Sequence, residues 1–327
     1  MNILKKIGGT IMLPAAMFIA MYILCAANGV SYYGKWVMWQ TLIPDICVAF
    51  TCALGIGLQF KNGRFDFSGG GIMLLSAIIA GNVARDNGNS LALMCLLCLV
   101  LCVGLSLGVA LLYVYGRLPI VIATIGMALL YESVTALIYR GGGISLVSNM
   151  TLRKFCTFPY VLIPAVLAYL VYWLYSDFTV AGRQGSLLSN NQSSAVNIGI
   201  DEGKNVIFSY LCSGVLFGLA TIIYIGKSMH DASFSSLSTA SELFSNILPV
   251  FIGLMLMNFC NDAMGTLMGA VALSLMSYSL KAVFSNEMGS AITMVITGIF
   301  ILVINVVSAQ GGTWIAAIKK KMSKSKA

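Results

Sequence analysis

The sequence predicts an all-α, polytopic membrane protein with about ten transmembrane helices. Of its 327 residues, 59% are hydrophobic and only 9% are charged, so polar groups are too few to cover a water-soluble surface. The mean hydropathy is +0.91. Apolar runs recur along the chain, each close to the roughly 20 residues that a helix needs to cross a bilayer. We therefore expect residues 1–327 to form one transmembrane domain.

Ten apolar runs, bounded by glycine, proline or charged residues, are the candidate helices. They cover residues 9–28, 36–58, 69–84, 91–115, 119–139, 158–175, 205–225, 243–260, 263–280 and 289–307. The longest polar insertion, about residues 176–204, follows the sixth run.

The first run follows Lys5 and Lys6, which is also how a secretion signal begins. We expect it to be retained as the first span, because its apolar stretch is longer than a signal core. In addition, Leu24 stands before Cys25, where a lipoprotein signal has a small residue.

Basic residues concentrate near both ends of the chain, with five lysines in the C-terminal tail: Lys319, Lys320, Lys321, Lys324 and Lys326. An even number of spans places both termini on one side, and the positive-inside rule makes that side cytoplasmic. Nucleic-acid binding is disfavoured despite the formal charge of +8, because no basic face with interleaved aromatic residues accompanies the tail.

Cysteines are expected to serve packing. Cys95, Cys98 and Cys102 have the spacing of a ligand set on one helix face, but no histidine or carboxylate lies nearby to complete a metal site. We expect them to pack as small hydrophobic residues, and we expect no metal.

The third span is short and begins with a polar, glycine-rich run, Phe-Asp-Phe-Ser-Gly-Gly-Gly at 65–71. A non-helical break at membrane depth must be covered by protein or line a water-filled cavity, and such breaks in transporters often mark the solute path. The alternative is a tight cytoplasmic turn with Ser68 as the N-cap of the helix.

The polar insertion at 176–204 contains Arg183, a run of serine and asparagine residues, and a small amphipathic element at 193–200. On the cytoplasmic side it offers a docking surface. A disordered linker is the alternative, because serine and asparagine also form loops.

Three motifs in order resemble the permease subunits of ATP-binding cassette (ABC) importers for ribose and related monosaccharides, a family that includes autoinducer and nucleoside importers. Residues 65–70 resemble the family's Ile-Asp-Leu-Ser run before the third span. Gly-Arg-Leu-Pro at 116–119, with Thr-Ile-Gly-Met at 124–127, resembles the entry to its fifth span. Gly-Arg at 182–183, Asn-Asn-Gln-Ser-Ser-Ala at 190–195 and Gly-Ile at 199–200 resemble its cytoplasmic loop.

The resemblance implies a permease in the inner membrane of a bacterium, moving a small sugar-like solute by alternating access. The implied partners are an ABC ATPase subunit, a second permease subunit, identical or not, and an extracellular or periplasmic solute-binding protein. ATP is expected on the partner, with no cofactor here and no catalytic residues: the Gly-Lys-Ser at 226–228 has Thr221 where a P-loop requires its first glycine.

Candidate site residues follow from these motifs. The ATPase-coupling candidates, in a predicted coupling helix at 191–200, are Asn191, Ser193, Ser194, Ala195, Val196, Gly199 and Ile200. Val196 and Ile200, four residues apart, are predicted to form an apolar anchor on one face. The substrate-pathway candidates are Asp66, Ser68, Gly69, Gly70, Thr124, Glu132 and Asn258.

Two departures from the family pattern fall at positions expected to contact the solute or a partner subunit. Glu132 and Ser133 stand where many relatives have Arg-Gly, and residues 258–265 replace a glycine-rich loop. A charge facing lipid costs about 2.5 to 3.5 kcal/mol on insertion scales, so Glu132 is expected to face protein or a cavity. Arg140, two turns further along the run, is a candidate partner.

A secondary transporter driven by an ion gradient is the main alternative. It requires a relay of intramembrane ionisable residues, and the candidates are Asp45, which follows Pro44 at a suspected helix break, Glu132 and Asp262. An intramembrane enzyme is a third class. The lone histidine, His230, lacks a paired nucleophile and is expected to be a solvated loop residue.

Overall fold

The computed structural model describes residues 3–234, 237–300 and 302, with no side-chain description for residues 3–5 and 258. Helices dominate these residues. Their bounds are α1 Ile3–Ala27, α2 Trp36–Lys61, α3 Gly69–Asp86, α4 Leu91–Gly116, α5 Ile120–Leu137, α6 Leu162–Trp173, α7 Val180–Asn190, α8 Gln192–Asn197, α9 Glu202–Tyr224, α10 Ala240–Met255, α11 Asp262–Val283 and α12 286–300. The C-terminal lysines and the end of the tenth predicted span lie outside the described residues.

Each of the ten predicted runs coincides with a helix, but ten spans are not confirmed. Within the described residues, six helices are long and apolar enough to cross a bilayer. A seventh is added if the bent pair Leu162–Phe178 and Val180–Asn190, which meet at 72°, counts as one span. α10 has only 16 residues and contains Pro249, and α3 carries Asn82, Arg85 and Asp86 near its end.

Two helices form the centre of the bundle. The apolar windows of α2 and α9 are 78% and 72% buried, whereas those of α1 and α4 are 11% and 28% buried. A helix that exposes an almost wholly apolar surface is stable when lipid, not water, surrounds it. The chain is therefore a multi-pass membrane protein whose peripheral helices face lipid.

The most extensive helix contact joins α4 to α9. Met94, Cys98, Cys102 and Ser106 recur at every fourth position and are buried on one face of α4. Across from them, a Cβ added at Gly214 would lie 2.8 Å from the Val103 Cα. Small residues let the two backbones approach closely, as in other membrane helix pairs, and the α4 cysteines belong to this packing face.

The third helix is continuous, and the break lies before it. α2 ends at Lys61 and α3 begins at Gly69. A Cβ added at Gly69 would meet the Phe217 ring in the second half of α9, and one at Gly71 would meet the Ala128 carbonyl in the middle of α5. The chain thus re-enters the bundle before α3 starts.

A short antiparallel ribbon pairs β1, Ile144–Ser145, with β2, Met229–His230. The expectation of a solvated His230 is wrong: the residue is buried, its Nε2 lies 2.8 Å from the Tyr224 carbonyl oxygen, and its ring lies 3.8 Å from that of Tyr224. Burial lowers the pKa of His230. Ring packing and the ribbon, which sequence periodicity does not show, keep the side chain inside.

Candidate functional site

The segment between α2 and α3 folds back on itself through Asp66. The side chain is 3% exposed, and its Oδ1 accepts hydrogen bonds from the Ser68 backbone N–H at 2.7 Å and the Ser68 hydroxyl at 2.6 Å. Ser68 occupies the N-cap position of α3, but its hydroxyl makes no capping bond. The alternative interpretation of Ser68 as N-cap is therefore met in position but not by a side-chain capping bond, because the hydroxyl is committed to Asp66.

Two glycines at the start of α3 are required by close packing. A Cβ at Gly69 would lie 2.6 Å from the Phe217 ring, and one at Gly70 would lie 2.8 Å from both Cβ and Oγ1 of Thr239. Thr239 is the residue before α10. Gly69 therefore lets α3 pack against α9, and Gly70 brings the beginnings of α3 and α10 together.

Glu132 completes this meeting point. Its side chain is 2% exposed, and its Oε1 accepts hydrogen bonds from the Thr239 N–H at 2.8 Å and the Thr239 hydroxyl at 2.6 Å. The predicted partnership with Arg140 is wrong: α5 ends at Leu137, and Arg140 lies exposed with a left-handed φ of 57°. We call Gly70, Glu132 and Thr239 the α3–α5–α10 junction.

The other pathway candidates lie outside the junction. Thr124 is buried on α5, two turns before Glu132, and donates to the Val121 carbonyl. Asn258 lies in the 3₁₀ turn Leu256–Asn258 between α10 and α11. Of the seven pathway residues, the structure joins Gly70 to Glu132 through Thr239 and pairs Asp66 with Ser68.

The predicted coupling segment forms a short helix with defined ends. Asn191 is the N-cap of α8, where its side chain accepts from the Ser194 N–H at 3.0 Å. At the other end Gly199 has a φ of +94°, with its N–H bonded to the Val196 carbonyl and the Ile200 N–H to the Ala195 carbonyl. This is the Schellman pattern that terminates helices. The segment is therefore a short ordered helix that is capped at both ends.

The predicted apolar anchor of Val196 and Ile200 is wrong. α8 ends at Asn197, so Ile200 does not share a helical face with Val196. Ile200 is buried in a small cluster with Leu188 and Ala195, while Val196 is 45% exposed and Ile198 is 73% exposed. Ser193 and Ser194 are also exposed. The outward-facing apolar residues are Val196 and Ile198, and Ala195 packs against its own chain.

Hydrogen bonds connect this segment to the long helices. Gln192 donates to the Glu202 carboxylate at 2.8 Å, and the Tyr113 hydroxyl on α4 donates to the same carboxylate at 2.9 Å. Next to it, the Lys204 N–H bonds the Asp201 side chain at 3.1 Å and lowers the pKa of Asp201. Through Glu202, the start of α8 is therefore hydrogen-bonded to both α9 and α4.

A second polar cluster links the ends of α2 and α9. Arg64 is 5% exposed and donates to the side-chain oxygens of Asn205 and Ser209, each at 3.1 Å. Asn205 in turn donates to the Ala181 carbonyl in α7 at 2.8 Å. Sequence reasoning missed this cluster, because Arg64 lies more than 100 residues from its partners Asn205 and Ser209 along the chain.

Asp262 also has a partner that the sequence did not reveal. Its Oδ2 lies 2.8 Å from the Lys61 ammonium and accepts from the Tyr172 hydroxyl at 2.9 Å. The pair ties the end of α2 to the start of α11. The only sequence signal is that both charges fall at helix ends, where opposite charges favour the helix dipoles.

A cavity of about 300 Å³ lies among α2, α3, α10, α11, α12 and the connection after α9. Asp45 and Lys227 form an ion pair on its wall at 2.8 Å, and the Tyr224 hydroxyl donates to Glu242 at 3.1 Å. α2 runs unbroken through Pro44, so the suspected break at Asp45 is wrong. None of the predicted pathway residues lines this cavity. Over the described ranges, no cluster of three or more histidine, cysteine or acidic residues has a geometry suited to a metal ion.

The apolar helices and their buried polar contacts are those of a multi-pass membrane protein. The model of the family described as "Branched-chain amino acid transport system / permease component" matches residues 39–305. The chain belongs to this family, and its resemblance to ribose-type importer permeases is confirmed.

Particular relatives carry more specific names. The chain is 29% identical over 182 residues to an autoinducer 2 import system permease protein of Yersinia pseudotuberculosis, a match that covers 54% of this chain and 51% of the relative. The chain therefore spans about half the length of such relatives. It is 25% identical over 249 residues to the ribose import permease protein of Escherichia coli, covering 73% and 76% of the two chains. No solved structure matches it significantly.

Proposed function

We propose that this chain is the membrane-spanning permease subunit of an ABC importer for a small sugar-like solute. The observation that carries the proposal is the family match over residues 39–305. The relatives named for import of ribose and autoinducer 2 support a polar, sugar-like cargo over the amino acids in the family's description.

In this proposal the solute passes by alternating access, and the α3–α5–α10 junction is the part that changes. Two helix starts meet there inside the protein: Gly70 of α3 packs against Thr239, and the buried Glu132 carboxylate accepts both hydrogen bonds from Thr239. Non-helical backbone at such depth is tolerated where it lines a cavity, and it gives a short hinge between longer rigid helices.

Energy enters from a separate ATPase subunit that docks on the cytoplasmic segment of α7 and α8. The exposed Val196 and Ile198 supply an apolar contact, and Gln192 and Glu202 carry its motion to α4 and α9. A second permease subunit, two ATPase subunits and an external solute-binding protein complete the importer, with both termini of this chain on the cytoplasmic side of a bacterial inner membrane.

The ion-gradient alternative requires acidic residues to act in sequence. In the structure each candidate has a different partner: Lys227 for Asp45, Thr239 for Glu132 and Lys61 for Asp262. This arrangement favours three separate structural roles over a relay.

The proposal is tested by whether this chain assembles with an ABC ATPase. A tagged copy of this chain, produced together with a candidate ABC ATPase subunit from the same organism, should retain that ATPase through purification in mild detergent. ATP hydrolysis should then rise when the two are reconstituted with the solute-binding protein. Purification of a chain that transports solute alone and never retains an ATPase would overturn the proposal.

A further inference from the structure

The cavity among α2, α10 and α11 has the size of a small-molecule site. Its volume is about 300 Å³, at the lower end of the range for ligand pockets, which is about 300–1,000 Å³. It lies beside the junction, because Ser241 and Glu242 on its wall follow Thr239 within one turn of α10. An occupant would therefore touch the same helix start that Glu132 holds.

The charges on the cavity wall balance. The wall carries two carboxylates, Asp45 and Glu242, and two ammonium groups, Lys227 and Lys281. Asp45 and Lys227 already neutralise each other at 2.8 Å. A wall with no net charge does not concentrate anions or cations, so the lining favours a solute without net charge.

Hydroxyl groups and the Asn246 amide make up most of the remaining polar wall. Five serines contribute, from three separate elements: Ser228, Ser241, Ser245, Ser274 and Ser277. Ser245 donates its proton to the Ser241 carbonyl at 2.9 Å, and the Asn246 amide donates to the Glu242 carbonyl at 2.8 Å. Their oxygens are left as hydrogen-bond acceptors.

We propose that this cavity is a solute subsite for an uncharged polyhydroxylated molecule of about monosaccharide size. Each hydroxyl of such a molecule both donates and accepts, which matches acceptor oxygens and ammonium donors spread around the wall. An amino-acid zwitterion would use one cationic and one anionic group and leave most of the serines unengaged. The inference rests on the proposed import function for its biological meaning, but its binding test does not depend on transport.

The test is ligand-dependent thermal unfolding of the purified full-length chain in detergent. The probes are D-ribose, D-xylose and myo-inositol as neutral polyols, and L-leucine as a zwitterion. Asn246→Leu removes the amide acceptor at similar volume, and Ser277→Ala removes one hydroxyl. Thr41→Val is the matched control, because Thr41 is exposed on α2 one turn before Asp45, outside the cavity, and its hydroxyl donates to its own helix.

At least one polyol should raise the Tm of the wild type and Thr41→Val in a saturable way. The polyol-induced increase in Tm should be less than half as large in Asn246→Leu or Ser277→Ala. If Asn246→Leu does not fold, the result for Ser277→Ala decides the test. The proposal is overturned by equal shifts in all variants, which would be the general osmolyte effect of sugars, by no polyol shift, or by saturation with leucine alone. Polyol binding without ATP-driven uptake would reject the import function and leave the subsite standing.

Discussion

Glu132 on α5 holds the start of α10 through Thr239, with one carboxylate oxygen accepting both the backbone N–H at 2.8 Å and the hydroxyl at 2.6 Å. The two residues are 107 positions apart. A buried carboxylate at a helix start satisfies donors that the helix itself leaves unpaired and favours the helix dipole.

Removing the carboxylate should loosen the junction. Glu132→Ala leaves the N–H and hydroxyl of buried Thr239 without their acceptor, which costs about 1–3 kcal/mol per unsatisfied group. We expect a lower thermal midpoint in detergent and reduced transport, with partial recovery in Glu132→Gln, which keeps an oxygen. Ser133→Ala, at the exposed neighbouring position, is the control. A midpoint unchanged by Glu132→Ala would show that the bond to Thr239 contributes nothing.

A methyl group at Gly70 should be poorly tolerated. The added Cβ would lie 2.8 to 2.9 Å from three atoms of Thr239, and overpacking of this kind costs about 1–3 kcal/mol. Gly126→Ala is a matched control on α5, where a Cβ meets nothing within 4 Å and the helix gains about 0.5–1 kcal/mol. Thermal unfolding of the two variants should give shifts of opposite sign. Equal shifts would mean that α3 and α10 are not in close contact.

The coupling segment should separate docking from folding. Ile198→Glu places a charge at a 73% exposed apolar position, so we expect normal amounts of protein in the membrane but about tenfold weaker ATPase association. Ala195→Arg changes a buried position in the cluster with Leu188 and Ile200 and should destabilise the segment itself. Asn87→Arg, at the opposite end of the bundle, is the control. Normal ATPase retention by Ile198→Glu would remove this surface from the docking site.

The single histidine should give the stability a pH dependence. Burial lowers the pKa of His230 in the folded chain, so the folded state favours the neutral ring. The neutral ring therefore contributes stability above the pKa of about 6.5 that histidine has in the unfolded chain. This contribution is lost as the pH falls from there through the lower pKa of His230 in the folded chain. His230→Gln should flatten this loss between about pH 7.5 and 5.5. Thermal midpoints that fall equally in both proteins would assign the effect to acidic residues.

The sequence could predict the features that consecutive residues determine, but not the contacts between residues far apart along the chain. Apolar run lengths located the helices, and the glycine run at 65–71 located the return before α3, because both are written in consecutive residues. The partners of Glu132 and Asp262 come from distant helices, and no local period encodes them. In α8, a six-residue helix, packing against Leu188 decides which side is buried, so Ala195 rather than Val196 faces inward. The cavity combines side chains from several elements and leaves no motif.

ATP-driven uptake into proteoliposomes is the direct test of the proposed import function. Proteoliposomes should contain this chain and its ATPase, with ATP enclosed and the solute-binding protein outside together with the sugar that it binds. We expect this sugar to accumulate only with hydrolysable ATP and an ATPase subunit able to hydrolyse it, and to accumulate equally when ionophores collapse ion gradients. Uptake that follows an imposed ion gradient and proceeds without ATP would contradict the proposed import function.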